Sequence, residues 1–77
     1  MLTIRIIRAI ILLRGEGMTF KELERLLLND GWSFKGAKGS HYQYIHPNKR
    51  GKITIPRHGG DINIKTAKTI LKQAGIE

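Results

Sequence analysis

The run Lys38-Gly39-Ser40-His41-Tyr42-Gln43-Tyr44 gathers residue types that hold a phosphate and move a proton. Histidine has an ordinary pKa of about 6.5, so His41 can accept or donate a proton near neutrality. Lys38 supplies a point charge, and Gly39 lets backbone amides approach an oxyanion closely. Ser40 offers a hydroxyl donor, and nothing around it marks a serine nucleophile. Further along, Arg57-His58 adds a side chain suited to two parallel hydrogen bonds with a phosphate and a second candidate proton-transfer group. The candidate site is therefore His41 as the catalytic group, with Lys38, Gly39, Ser40, Arg57 and His58 in binding or transition-state support. A hairpin with a solvated lysine and a loop histidine in a structural hydrogen bond would use the same residues without chemistry.

A metal site is not expected. His41 and His46 fall on opposite faces of one strand by its period-two alternation. No acidic residue lies near either in sequence, and the chain contains no cysteine. Disulfides, thiolate catalysis and Cys-ligated zinc are excluded with it, and no cofactor is implied.

The elements that must position these residues are readable. Thr19-Phe20-Lys21-Glu22 is a capping box, and Phe20, Leu23, Leu26 and Leu27 continue it as the apolar stripe of a helix over 19–30. Asn29-Asp30-Gly31 ends it. Trp32 to Lys35 alternates as a first strand, Gly36 to Gly39 reads as a turn, and His41 to His46 as a second strand stopped by Pro47. Asn48 to Gly51 is a hairpin connection, Lys52 to Ile55 a third strand, and Arg57 to Asp61 a loop. Ile64, Ala67, Ile70, Leu71 and Ala74 form the apolar face of a last helix, with Gly75-Ile76 suited to a Schellman ending. The expected fold is α+β, in the order α-β-β-β-α: a three-stranded antiparallel sheet with both helices on one face and the other face open. On the second strand, Tyr42 and Tyr44 could stack on unpaired bases, although such a pair more often packs under helices.

Seventy-seven residues suffice for one domain. Such a domain buries only about 60% of its unfolded surface, leaving room for chemistry on an open face or in a shallow cleft. Fourteen Lys and Arg against six Asp and Glu give a net charge of +8. That imbalance favours a polyanionic partner, nucleic acid before an anionic membrane surface. Lys65, Lys68 and Lys72, with Lys49, Arg50 and Lys52, would supply the phosphate-tracking field.

Residues 1–17 differ in texture and are read as an N-terminal extension, with residues 18–77 as the functional domain. The apolar run 2–13 is interrupted by Arg5 and Arg8, and it is too short to span a bilayer, which takes about 20 apolar residues. It lacks the basic n-region and cleavage site of a signal peptide. Arg14-Gly15-Glu16-Gly17 is compatible with a purine-rich ribosome-binding site read through as protein, which would make Met18 the natural start. Without residues 1–17 the charge is still +6, because that segment holds three arginines and one glutamate.

Three stretches, Gly39-Ser40-His41, then Pro56-Arg57-His58-Gly59-Gly60, then Ile70-Leu71-Lys72-Gln73-Ala74-Gly75-Ile76, together resemble the HicA toxins of bacterial and archaeal toxin–antitoxin pairs. Phe20-Lys21-Glu22-Leu23 and Gly31-Trp32 fit as well, so the resemblance covers residues 18–77. It implies a fold similar to double-stranded-RNA-binding domains and a metal-independent endoribonuclease acting on messenger RNA. The histidine of the Gly-Ser-His motif, here His41, would be the essential residue. A HicB-type antitoxin protein would cover the active surface. A cytoplasmic location and no membrane partner follow from the same reading. Residues 1–17 depart from the family's ordinary extent.

Two other readings compete. A non-catalytic RNA-binding module would use the same fold, since fold does not fix function. A membrane-active peptide toxin would depend on residues 1–17.

Overall fold

The structure, a computed structural model, describes residues 17–76. Of the N-terminal extension expected over residues 1–17, all but Gly17 lies outside the described residues. The elements are β1 (Gly17–Met18), α1 (Phe20–Asn29), β2 (Ser33–Lys38), β3 (His41–Ile45), β4 (Ile53–Pro56), β5 (Ile62–Asn63) and α2 (Ile64–Gln73).

Local chemistry sets both helices. The Thr19 hydroxyl accepts the Glu22 amide at 3.1 Å, and the Glu22 carboxylate accepts the Thr19 amide at 2.8 Å. This reciprocal cap satisfies donors that a first turn leaves without partners. At the other end, the amides of Gly31 and Trp32 bond the carbonyls of Leu28 and Leu27, each at 3.0 Å. Gly31 sits at φ 103°, and a Cβ there would fall 2.8 Å from His46 Nε2, so the position needs glycine twice over. The α2 helix closes the same way, with Gly75 bonding Lys72 at 3.0 Å and Ile76 bonding Leu71 at 2.9 Å. Both endings are Schellman motifs.

The main sheet is antiparallel in the order β2-β3-β4, and β1 with β5 forms a separate two-stranded ladder through Gly17–Asn63 and Met18–Ile62. The order α-β-β-β-α is the expected one, and the fold is α+β. The short ladder was not anticipated, because two-residue strands carry no periodicity. The first turn differs too. Instead of spanning Gly36 to Gly39, it is only Gly39-Ser40, and β2 runs on to Lys38. A bulge between Phe34 and Gly36 absorbs one extra residue and lets Lys38 pair with His41.

Tyr44, Ile53 and Ile55 point from the sheet into one core with Leu23, Leu26 and Leu27 of α1 and Ala67, Ile70 and Leu71 of α2. Met18, Trp32 and Ala74 complete it. Each large side chain buried this way contributes about 1.5–3 kcal/mol. Thr54, His41 and Ile45 lie on the uncovered face of the sheet and are exposed.

Three side chains tie the helix ends together. Trp32 Nε1 donates to the Ala74 carbonyl at 3.2 Å. The His46 ring accepts the Asn48 amide at Nδ1 and donates from Nε2 to the Asp30 carbonyl at 2.7 Å. Lys49 donates to the Asp30 carboxylate at 2.5 Å and to the Ala74 carbonyl at 2.9 Å. The C-termini of α1 and α2, where unpaired carbonyls concentrate negative charge, are thereby closed by one cation.

Candidate active site

His41 opens β3 and is exposed. Its cross-strand partners are Lys38 on β2 and Pro56 on β4, so the Lys38 side chain shares its face. Between Lys38 and His41 the two-residue turn carries Gly39 at φ 57°, a conformation that glycine adopts without strain. A Cβ placed there would meet nothing within 4 Å, so the backbone of the turn is open to an approaching group.

Ser40 connects this turn to the second cluster. Its carbonyl accepts the Arg57 amide at 2.7 Å. That bond draws the loop after β4 against the start of β3 and brings the His58 ring to a centroid separation of 6.2 Å from the His41 ring, nearly perpendicular at 88°. Both imidazoles are exposed. They are too far apart to bond each other directly, and the gap suits a phosphate that hydrogen-bonds to each ring at about 2.6–3.2 Å. Beside His58 a shallow depression of about 200 Å³ runs to Asn63, the N-cap of α2.

The structure thus brings His41, His58, Lys38, Gly39 and Ser40 together. It does not bring the Arg57 guanidinium to them. That group lies 4.9 Å from the Phe20 ring centroid and 5.4 Å from that of Tyr42, and Nη1 donates to the Tyr42 hydroxyl at 3.3 Å. Tyr42 alternates with His41, so the guanidinium stacks on the helix side of the sheet. Cation–π attraction of about 0.5–2 kcal/mol holds it there.

The two tyrosines separate. Tyr44 is buried, and its hydroxyl donates to the Glu24 carboxylate. Burial pushes its phenol pKa up, and the Glu24 bond and charge push it the same way, so the group stays protonated. Tyr42 is half-buried in an aromatic row with Phe20, at 5.1 Å between centroids, and Phe34, at 5.5 Å. Phe34 is 51% exposed, a placement its alternation with Trp32 did not reveal. The Lys49 charge is taken up at the helix ends, away from any phosphate-tracking field; Lys65, Lys68 and Lys72 are exposed.

Among the described residues, no group of three or more His, Cys, Asp or Glu could hold a metal ion. No described helix is long and apolar enough to cross a membrane.

The class the structure defines is a small two-layer α+β domain with two exposed histidines, a lysine and an open glycine turn on one edge of its sheet. Residues 20–76 match the family described as HicA toxin of bacterial toxin–antitoxin systems, and the chain belongs to that family. It is a toxin of a toxin–antitoxin pair. No individual curated protein matches the sequence.

Proposed function

We propose that this toxin is an endoribonuclease that cuts messenger RNA with His41 as its central acid–base group. The observation that carries the reading is the His41–His58 pair, two exposed imidazoles 6.2 Å apart beside Lys38 and the open turn at Gly39. In the proposed step a substrate 2′-hydroxyl attacks the adjacent phosphorus. The new P–O2′ bond forms as the P–O5′ bond breaks. One histidine takes the 2′ proton and the other protonates the departing 5′ oxygen, leaving a 2′,3′-cyclic phosphate and a 5′-hydroxyl. Lys38 and the amides of the Gly39-Ser40 turn stabilise the charge that builds on the phosphate. Such proton transfer supplies roughly 10²–10⁴-fold of rate, and no step passes through a metal.

The partner would be a HicB-type antitoxin covering this surface, and the site of action the cytoplasm, where messenger RNA is found. A test is incubation of the purified protein with a defined messenger RNA in EDTA, with the new ends identified chemically. The proposal expects 2′,3′-cyclic phosphate and 5′-hydroxyl termini. Intact RNA, or 5′-phosphate ends, would count against it.

A further inference from the structure

We infer that Phe34, Tyr42 and Arg57 form a stacking subsite for one unpaired base of single-stranded RNA, on the face of the sheet opposite the phosphate held at His41. This inference rests on the ribonuclease reading and adds the subsite that would give it sequence preference.

Three large apolar side chains are exposed among the described residues: Leu28 on α1, Ile45 on the open face, and Phe34. Single exposed aliphatic residues need no explanation. Phe34 differs, because it is aromatic and ends a row of rings that carries a cation. Its centroid lies 5.5 Å from that of Tyr42 and 5.8 Å from that of Tyr44. Of the three strands of the main sheet, both helices lie chiefly over β4, and along β2 every residue except Gly36 is exposed. One end of the aromatic row is therefore left outside the core on an edge strand.

Arg57 supplies the second stacking surface. Its guanidinium lies over Phe20 and Tyr42 while the residue stays exposed. Among the described residues it forms no ion pair with a carboxylate. An aromatic ring and an adjacent guanidinium plane are the two groups on which proteins stack splayed-out bases. Lys21, Arg25 and Lys35 on α1 and β2 are exposed as well.

Continuity with the histidines decides the occupant. Tyr42 follows His41 directly in β3, and Arg57 precedes His58 while its amide is bonded to Ser40. Both catalytic candidates thus have a stacking residue as chain neighbour on the opposite face. A strand that places a phosphate between the two rings and crosses the hairpin end at Gly39-Ser40 meets Arg57 and Tyr42 first, and Phe34, paired with Tyr44, further along the same face.

The test uses the full chain and short 2′-O-methyl oligoribonucleotides, which cannot be cut by 2′-hydroxyl attack, with 2-aminopurine placed at each position in turn. Wild-type protein should quench one probe position strongly. Phe34→Ala should lose that quenching and weaken binding roughly ten- to a hundredfold, with an unchanged melting temperature, while Phe34→Trp retains both. An unchanged affinity in Phe34→Ala overturns the subsite, as does the lack of any quenched position in the wild type. Loss of antitoxin binding with RNA affinity intact overturns it in favour of a protein contact. Cleavage is not measured, so Phe34-dependent binding by a protein that cuts no RNA supports the subsite while refuting the ribonuclease.

Discussion

The Arg57 amide donates to the Ser40 carbonyl at 2.7 Å, and this bond ties the loop carrying His58 to the turn carrying His41. If the two imidazoles act as one acid–base unit, their losses should not add. His41→Ala and His58→Ala are each expected to lower kcat by about 10²–10⁴-fold. The double variant should be little worse than the poorer single one. Single-turnover cleavage of a defined RNA checks this, and multiplicative losses would mean the rings act independently.

Gly39 separates backbone geometry from surface access. Asparagine tolerates the left-handed region better than most residues, and no atom blocks a side chain at this position. Gly39→Asn should therefore keep the melting temperature within a few degrees while crowding the amides a phosphate would approach. The expected outcome is a raised KM or a lost rate in a folded protein. Full activity would remove the turn from the site.

The cation bridging the helix ends should matter to stability and not to chemistry. Lys49→Met removes the donor to the Asp30 carboxylate and one of two donors to the Ala74 carbonyl, which keeps Trp32 Nε1. The groups are about one-third exposed, so solvent screening discounts the loss. A destabilisation of about 1 kcal/mol is expected, or a fall of about 4–8 °C in Tm for a domain of this size. Urea denaturation followed by Trp32 fluorescence reads it.

Much of the frame was legible because it is local. The Thr19–Glu22 box, the stripe of Leu23, Leu26 and Leu27, and the Gly75-Ile76 ending depend on residues within a few positions, and the structure forms each of them. The β2 turn was misread because a bulge is a property of a strand pair. Gly36 looked like punctuation, yet it pairs with Gln43. In the candidate site, His41, Lys38 and Gly39 came as one segment, whereas the proximity of His58 depends on a bond between Arg57 and Ser40 that no spacing encodes. The direction of the Arg57 side chain is set by rings on α1 and β3, which its basic character alone did not reveal.

Tyr44 should give the protein an alkaline limb of its own. Its phenol pKa is raised in the folded state, while the unfolded value stays near 10. Above about pH 10 the unfolded chain loses this proton and the folded chain keeps it, so stability present below that pH falls as pH rises. Tyr44→Phe should flatten that slope. Urea midpoints for both proteins across the alkaline range check it, and parallel curves would contradict the assignment.

The most direct test of the central claim compares wild type and His41→Ala on one messenger RNA in EDTA, with binding measured alongside cleavage. The account predicts that the wild type cuts and that the variant binds with similar affinity but cuts at least about 10²-fold more slowly. Equal cleavage by the two proteins would contradict it, because another group would then carry the proton. Equal binding with no cleavage by either would contradict it as well, leaving an RNA-binding protein on this fold.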